Sequence, residues 1–583
     1  MAQVVENFTG GKLSKAETVK QQSRQLRGHL ARDLADTATP FDGEGYSLLK
    51  FHGIYQGYDR DSATELKQAG ASKHYQLMVR VRIPGGRLKA AQYLALDKIA
   101  GDYADGSLRV TTRSSIQFHG VVKSGLKATM GEINAGLLTT LAACGDVVRT
   151  VTTSPAPLRS RVHDRLEADA RLLGTALLPT SGAYQEIWVD GTPWSAEQGK
   201  DEAPDPLYGE RYLPRKFKIG VAVPEDNTID VLTNDLGIVA LWDGAAGEER
   251  LAGYNFFLGG GHGATHNKPE TFPRMASAVC FVEPGDLVEA AKAVVRLHRD
   301  CGDRVNRRHA RLKYVIAERG EEWARARLSE DLGKELEPAR PMARFQVPDY
   351  LGWHEQGDGR LFLGLPVTNG RIADGDRAKL RTVLREIVAD YGADPILMPS
   401  QDILLSEIAP ADRAAIEKKL RAYGVRFGDE LAPAERWALA CPALPTCGLA
   451  LTEAERVSEM LVAEIVERMA RWGVEGERLS IRITGCPNGC ARPYSGDIGI
   501  VGRIPGFYSI YVGGDFEGTR LNEVVAERIR LGEVADVLDP LFALYAASRR
   551  PDEGFGDFCH RAGVARLREV LLATRAEPRA AAD

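Results

Sequence analysis

The segment PGGRL at residues 84–88 recurs as TNGRI at residues 368–372, and LDKIAGDY at 96–103 recurs as LREIVADY at 384–391. The two pairs are offset by 284 and 288 residues, so a strand, a helix and a second strand have been duplicated with a short insertion. This duplication decides the predicted fold, because each half of the chain must contain a copy of the same unit.

Two further pairs of segments extend the duplication along the chain. NDLGIVA at 234–240 matches GDIGIVG at 496–502, and FFLGGG at 256–261 matches IYVGGD at 510–515. The order of the repeated units is therefore A, B, A′, B′. We predict an α+β fold with a pseudo-twofold internal repeat of mixed sheet-and-helix lobes around a central cavity.

The composition is that of a large globular protein. At roughly 150 residues per domain, 583 residues correspond to about four structural units. Charged residues make up 27% of the chain and the net charge is −5, so bulk electrostatics predict no nucleic-acid or membrane partner. The N-terminal segment has no apolar signal-peptide core, and no run approaches the ~18 apolar residues of a membrane-spanning helix. We therefore expect a cytoplasmic protein.

Eight cysteines are far too few for a disulfide scaffold of this length, and in a reducing compartment clustered cysteines more often bind metal or do chemistry. Four are isolated and are interpreted as small buried hydrophobic residues: Cys144, Cys280, Cys301 and Cys559. The other four form two pairs within one region, in the segments CPALPTC (Cys441, Cys447) and CPNGC (Cys486, Cys490).

A tetrahedral zinc site is the plain alternative for four cysteines, but such sites usually have two to four intervening residues in a small module. Here five and three residues intervene. An amphipathic helix, with a predicted capping box of Thr452 and Glu455, and the strand RLSIRIT separate the two pairs. A large folded lobe thus presents the cysteines, which favours a 4Fe-4S cluster over zinc.

Cationic side chains distinguish the first half from the second. In LMVRVRI, period-two alternation places Arg80 and Arg82 on one face. Four polar residues share a face of the next strand by the same count: Arg109, Arg113, Gln117 and His119. Their counterparts at an offset of 288 have lost that character: Leu397, Gln401, Leu405 and Glu407. A solvated face explains any single arginine, but several cations that occur in only one of the two copies indicate a binding face.

Copy B continues this pattern. In YLPRKFK, residues 212–218, Lys216 and Lys218 point the same way. Cations crowded together repel one another and are costly to desolvate, so a set of them is tolerable only around a strong anion. The members of the set are Arg80, Arg113, Arg149, Lys216 and Lys218. The ligand inferred from these residues is a polyanion, a small oxyanion, or both.

These residues resemble the siroheme-containing sulfite and nitrite reductases. CPALPTCGLALTEAER and TGCPNGCAR are similar to the cluster signature of that family, while LMVRVRIPGG, TTRSSIQFHG and YLPRKFK are similar to its siroheme- and anion-binding segments. QSRQLRGHLARDL near the start and DEGFGDFCHRAG near the end resemble the branch of hemoprotein (beta) subunits of assimilatory, NADPH-dependent sulfite reductase. The resemblance covers about residues 12–568.

The resemblance implies two cofactors, siroheme and a 4Fe-4S cluster. The implied cluster ligands are Cys441, Cys447, Cys486 and Cys490, and the Cys490 thiolate also bridges to the siroheme iron. Residues implied to bind the cofactors are Arg113, Gln117, His119, Arg215, Arg311 and Asn488. Residues implied to surround the substrate are Arg80, Arg149, Lys216 and Lys218. The eight carboxylates of siroheme would account for the cationic cavity.

The implied activity is the six-electron reduction of sulfite to sulfide in assimilatory sulfate reduction and cysteine biosynthesis. The chain has no G-x-G-x-x-G unit, no Walker loop and no C-x-x-C-H motif, so we expect electrons from a separate flavoprotein (FAD/FMN) reductase subunit or from ferredoxin. Two alternatives stay open: a ferredoxin-dependent nitrite reductase of the same fold, and a non-enzymatic four-cysteine zinc or electron-carrier protein.

The implied domains follow the repeat. They are an N-terminal extension (1–65), a ferredoxin-like half-domain (66–135), a siroheme- and substrate-binding domain (136–330), a second ferredoxin-like half-domain (340–412), a domain that binds the 4Fe-4S cluster and siroheme (430–568), and a disordered tail (569–583).

Overall fold

The protein is described by a computed structural model that covers residues 11–37, 39–184, 187–189, 192–194, 203–244 and 248–576. The chain forms an α+β structure of four lobes in the predicted order A, B, A′, B′. The predicted fold class is confirmed. No described helix combines the length and the apolar character needed to cross a lipid bilayer.

Lobe A, with the segment that precedes it, contains α1 (Lys15–Gln21), α2 (Leu30–Ala35), α3 (Gly43–Leu49), β1 (Ile54–Tyr58), α4 (Ala63–Gln68), β2 (Tyr75–Arg80), α5 (Ala90–Tyr103), β3 (Leu108–Val110), β4 (Ile116–Val121) and α6 (Leu126–Ala135). Its strands lie in the order β1-β2-β4-β3. The sheet begins at β1, inside the segment predicted as an N-terminal extension, because β1 pairs antiparallel with β2 along its whole length.

Lobe B contains β5 (Thr152–Thr153), α7 (Arg161–Ala176), β6 (Ile187–Val189), β7 (Thr192–Trp194), β8 (Ile219–Ala222), β9 (Leu236–Asp243), β10 (Arg250–Leu258), β11 (Ser277–Val282), α8 (Leu287–Cys301), α9 (Leu312–Arg319) and α10 (Glu321–Leu332). Lobe A′ contains β12 (Gly352–Glu355), β13 (Leu361–Leu365), β14 (Arg371–Ile372), α11 (Leu380–Tyr391), β15 (Asp394–Leu397), β16 (Ile403–Ile408) and α12 (Arg413–Ala422).

Lobe B′ contains α13 (Pro433–Arg436), β17 (Leu439–Ala440), α14 (Glu455–Arg471), β18 (Ile481–Thr484), β19 (Ile498–Ile504), β20 (Phe507–Val512), β21 (Glu523–Arg530), α15 (Val534–Ser548), α16 (Phe555–Ala562) and α17 (Val564–Ala576). The prediction of a disordered tail from residue 569 was wrong up to residue 576, because α17 continues and buries Leu571 against the lobe B′ core. Residues 577–583 lie outside the described residues.

The sheets of B and B′ have the same topology, as the second pair of repeated segments indicates. Their strand orders are β5-β8-β9-β10-β11 and β17-β18-β19-β20-β21. In both, the first two pairs of neighbouring strands are parallel and the last two pairs are antiparallel. Each of these lobes has its own hydrophobic core, whereas A and A′ share a single one.

Lobes A and A′ are joined by an exchange of backbone pairing. The short strand β14 of A′ pairs with β3 at the edge of the lobe A sheet, and Arg87 of A bridges to Ile396 of A′ in return. Glycine is required at both crossings: Gly86 and Gly370 have positive φ, and a Cβ on either would approach a backbone carbonyl of the other lobe, to 2.5 and 2.2 Å. The repeated PGG and TNG motifs thus form the crossover.

The prediction that Arg109, Arg113, Gln117 and His119 share one face of one strand was wrong. Residues 108–121 form a hairpin, with β3 and β4 joined by the turn at 111–115. Thr and Ser residues in TTRSS favour this turn. Arg109 and Gln117 are nevertheless directly opposite each other across the hairpin, while Arg113 projects from the turn.

Candidate active site

The two cysteine pairs meet because β17 and β18 are neighbouring parallel strands. Cys441 directly follows β17, and Cys486 follows β18 by two residues, so both pairs emerge from the same edge of the lobe B′ sheet. The backbone N–H of Gly485 donates to Cys441 Sγ at 3.3 Å. Sequence spacing identified the pairs, and the parallel register brings them together.

The four thiols influence one another electrostatically. Burial, and then the neighbouring Cys490, raises the pKa of Cys441, Cys447 and Cys486, the last to about 12. The backbone and side-chain amides of Asn488 oppose that rise at Cys486. Neighbouring thiols with pKa values raised in this way can all ionise only beside a cationic centre, so this donor set fits a metal cluster.

The spacing of the sulfur atoms differs from that of a preformed zinc site. Tetrahedral zinc at ~2.3 Å from each sulfur requires the sulfurs to lie within about 4 Å of one another. Across the described ranges, the one group of three potential ligand atoms that all lie within 4.8 Å is His29, Asp33 and Asp42, and it includes no cysteine. The described thiols are therefore not already arranged around a tetrahedral zinc position.

Arg80 lies at the end of β2, where two neighbours hold it. Its Nη1 donates to Cys144 Sγ at 2.8 Å. The Gln117 amide, oriented with its oxygen toward the guanidinium, accepts from Arg80 Nε at 3.1 Å. Cys144 is buried, as predicted, but it is a hydrogen-bond partner of a predicted substrate ligand rather than only a small hydrophobic residue. A contact between positions 64 residues apart leaves no signal in the local sequence.

Arg149, Lys216 and Lys218 are brought together by backbone pairing. Phe217 bridges in parallel to Val148, and the Arg149 N–H donates to the Phe217 carbonyl at 2.9 Å. Phe217 is fully buried, so the alternation turns the lysines on either side of it away from the core. The two lysines therefore lie on one side, as the sequence predicts.

Neither lysine ammonium has a hydrogen-bond partner in the described part of the chain. Burial, then Lys218 and Arg311, holds the pKa of Lys216 well below its ordinary value. Burial, then Arg113 and Arg311, lowers the pKa of Lys218 to about 7, while nearby Cys490 raises it. Half-buried cations without protein partners fit an anion held beside the cysteines.

Arg113 links three segments of lobe B. Its guanidinium donates to the Thr150 carbonyl at 2.6 Å, the Ile219 carbonyl at 2.8 Å and Asn234 Oδ1 at 2.8 Å. Burial, and then the neighbouring Arg149, lowers the pKa of Arg113. Arg113 thus adds positive charge to the cavity while most of its donors bind the protein itself.

Arg311 and Arg215 each have an acidic partner. Arg311 binds Asp235 with two contacts of 2.8 Å, and both groups are buried. Arg215 is half-buried, 4.0 Å from Asp146, a carboxylate that Arg307 also engages at 2.7 Å. Sequence analysis did not identify Asp235 and Asp146 as part of the site, because their arginine partners are distant in the chain.

His119 belongs to a network that connects lobe A to lobe B′. Burial, and then Arg371, holds the pKa of His119 well below its ordinary value, so its ring is neutral. Its Nδ1 accepts from Arg371 Nη1 at 3.1 Å, which leaves the proton on Nε2. Arg371 and Arg109 both bind the Glu455 carboxylate, at 2.7 and 3.1 Å. The predicted capping box was wrong because Glu455 is recruited by these arginines.

A glycine-rich loop at 258–263 completes the site and was not assigned by sequence analysis. Lys313 Nζ donates to the carbonyls of Gly261 at 3.1 Å and Gly263 at 2.7 Å, which fixes the loop. The Ala264 N–H donates to the Pro487 carbonyl at 3.0 Å, so the loop lies against the CPNGC segment. Within it, His262 is buried with both ring nitrogens unpartnered by any described residue.

The duplicated fold, the paired cysteines and the adjacent cations define an enzyme that acts on an anion with a metal cluster. The family model described as "nitrite and sulphite reductase 4Fe-4S domain" matches residues 168–336 and 436–578. That described as "nitrite/sulfite reductase ferredoxin-like half domain" matches residues 69–136. The chain belongs to the nitrite and sulfite reductase family, and the predicted cofactors, siroheme and a 4Fe-4S cluster, are those of this family.

Curated relatives align over nearly the whole chain. A sulfite reductase (ferredoxin) of Synechococcus elongatus is 44% identical, covering 96% of this chain and 91% of its own. A sulfite reductase (NADPH) hemoprotein beta-component of Myxococcus xanthus is 45% identical, covering 94% and 97%. The solved structure of Mycobacterium tuberculosis NirA has the same fold, with a TM-score of 0.75 at 21% identity, over 96% of this chain and 98% of its own.

Proposed function

We propose that the chain reduces sulfite to sulfide with six electrons in assimilatory sulfate reduction, using a siroheme and a 4Fe-4S cluster that Cys490 would help to hold together. The observation that carries the proposal is the pair of unpartnered lysines, Lys216 and Lys218, beside the cysteine loop. When bound, the two cofactors would supply the electrons one at a time. Both of the curated relatives described above are named sulfite reductases.

In this proposal Arg80, Arg149, Lys216 and Lys218 bind the sulfite oxygens. Their positive charge lowers the free energy of adding electrons to an anion, and their hydrogen bonds strengthen as the oxygens become more basic. The geometry supports an ordered arrangement, since Cys144 and Gln117 hold Arg80, and the Gly145 carbonyl accepts from Arg149 at 3.2 Å.

The two lysines would also deliver protons. Conversion of sulfite, SO₃²⁻, to S²⁻ and three waters consumes six protons with the six electrons. A lysine with a pKa about 7 in the free site can lose and regain a proton near neutral pH, as a general acid requires. Proton transfer from Lys218 Nζ to a substrate oxygen, with return of a proton from water, restores the lysine after each step.

The remaining predicted residues would hold the cofactors. Arg215, Arg311 and His119 Nε2 offer donors to the carboxylates of siroheme, and Arg113 contributes charge, while Gln117 fixes Arg80. Asn488 would donate to cluster sulfur through its amides, which lowers the cost of the negative charge there.

We infer that electrons come from a separate protein, either a flavoprotein subunit or a ferredoxin. One of the two relatives is named as a ferredoxin enzyme and the other as an NADPH enzyme. We further place the chain in the cytoplasm, where four cluster thiolates stay reduced. The choice between donors is tested by supplying reduced ferredoxin, or NADPH with a flavoprotein subunit, to the purified protein.

The test of function uses purified protein with reduced methyl viologen. We expect the purified protein to show the red absorption bands of siroheme and to contain iron and acid-labile sulfide. With sulfite as substrate, we expect one sulfide to form for every six electrons consumed. If the protein contained siroheme and reduced nitrite rapidly but formed no sulfide from sulfite, the function would be nitrite reduction instead. Zinc without visible absorption would refute both.

A further inference from the structure

His262 lies in the glycine-rich loop that follows β10, with 5% of its surface exposed. Neither Nδ1 nor Nε2 has a hydrogen-bond partner among the residues that the structure describes. Buried polar side chains in folded proteins are nearly always hydrogen-bonded, so an imidazole with two unpartnered nitrogens indicates a partner outside the polypeptide.

The position of His262 identifies where that partner lies. A Cβ on Gly489, which has φ +64°, would come within 3.1 Å of His262 Cβ. The Tyr494 ring packs edge-on against the imidazole, with ring centroids 5.8 Å apart. Gly489 stands between Cys486 and Cys490, so His262 lies directly against the loop that presents the second cysteine pair. The absence of a side chain at Gly489 makes this close approach possible.

Four basic side chains surround His262, and two of them, Arg482 and Arg492, share the Asp230 carboxylate. Burial, then Arg482, Lys218 and two further cations, Lys313 and Arg492, holds the pKa of His262 well below its ordinary value. The ring is therefore neutral and carries one N–H donor. A neutral donor beside these basic groups can meet a negative acceptor without adding to the repulsion between them.

We propose that His262 donates a hydrogen bond to a negative acceptor of the cofactor pair, either a sulfur of the cluster and its thiolates or a siroheme carboxylate. This proposal rests on the cofactor assignment of the proposed function. It makes His262 a positioning residue, which orients the cofactors and stabilises their electron-rich state without contacting substrate. A hydrogen bond to cluster sulfur raises the reduction potential, because it stabilises the added negative charge.

The experiment compares His262→Leu, which removes the donor, with His262→Gln and His262→Asn, whose amides can replace Nε2 and Nδ1 respectively. His354→Leu is the control, since His354 is a half-buried histidine in lobe A′, stacked on Phe362. Siroheme per chain is measured from the visible spectrum, and the cluster potential by redox titration followed by electron paramagnetic resonance.

We expect His262→Leu to change one of these two quantities and one of the two amide variants to restore it. A lower cluster potential with full siroheme assigns the acceptor to sulfur, and a severalfold loss of siroheme assigns it to a carboxylate. Siroheme content and potential equal to those of the parent in all three variants would overturn the proposal. If the parent protein itself contained neither siroheme nor a cluster, the proposed function would be refuted. Failure of the His262 proposal and failure of the proposed function are therefore distinguishable.

Discussion

Asp230 and Arg492 occupy equivalent positions of the internal repeat and form an ion pair with each other. The strands β8 and β18 begin at Ile219 and Ile481, and the same offset of 262 residues relates Asp230 to Arg492. Arg492 Nε lies 2.6 Å from Asp230 Oδ2, and Arg482 Nη1 lies 2.7 Å from the same oxygen. The two copies of one position therefore carry opposite charges and contact each other. Because the repeats have diverged at this position, an ion pair joins lobe B to lobe B′.

We expect Asp230→Asn to destabilise the protein strongly. The substitution leaves Arg482 and Arg492 buried without a counter-charge, and removal of one partner of a buried ion pair typically costs about 3–5 kcal/mol. Urea unfolding measures the change. Glu459→Gln, which breaks an exposed pair with Arg377, is the matched control and should leave the unfolding midpoint nearly unchanged. Equal shifts in both variants would contradict the inferred role of Asp230.

We expect Cys490→Ser to disturb the siroheme spectrum and the cluster together, because one sulfur is proposed to serve both metal centres. Iron content, acid-labile sulfide and the visible spectrum report on each cofactor. Cys301→Ser, in α8 of lobe B, is the control and should retain both. Full cluster iron with an unchanged siroheme spectrum in Cys490→Ser would show that the bridging assignment is wrong.

Lys216→Met and Lys218→Met should keep their cofactors but lose most sulfite turnover with reduced methyl viologen. Nitrite carries one charge and fewer oxygens than sulfite, so its reduction should fall less. Turnover of the two anions by each variant gives the ratio to compare with the parent. Lys98→Met, which removes an exposed lysine paired with Asp102 and Glu132, is the control and should leave both turnovers nearly unchanged. Parental sulfite turnover in both substrate-face variants would exclude the proposed roles.

Asp402 should make stability fall as pH rises toward neutrality. Burial raises the pKa of this carboxyl to about 7, from an ordinary value near 3.8. Between these values the folded state holds a proton that the unfolded state has lost, so the free energy of unfolding declines across this range by about 1.4 kcal/mol per pH unit at most. Asp402→Asn can still accept from the Val367 N–H and should flatten the decline between pH 5 and 7. The same slope in variant and parent would contradict this assignment.

Sequence analysis predicted the features that depend on local pattern. The repeated segments gave the matching B and B′ sheets, and period-two alternation placed Lys216 and Lys218 on one side. Spacing identified the cysteine pairs. The prediction failed where a turn interrupts the count, as between Arg109 and Gln117, although TTRSS carries a turn signal.

The contacts that sequence analysis missed join residues far apart in the chain. Cys144 binds Arg80, Asp235 binds Arg311, and Glu455 turns from its own helix to Arg109. Each pairing depends on how lobes meet, which no periodicity encodes. His262 was passed over because LGGGHG matches no phosphate-binding spacing, and its importance emerges only from its unpartnered burial.

The exchange of β14 onto the lobe A sheet also sets an order of events during synthesis. β3 lacks its edge partner until Arg371 and Ile372 have left the ribosome, more than 200 residues after the hairpin of β3 and β4. The first half of the chain must therefore wait with an open sheet edge, a state prone to pairing with other chains. Genetic separation of the two halves would yield polypeptides that reach the native state only when made together.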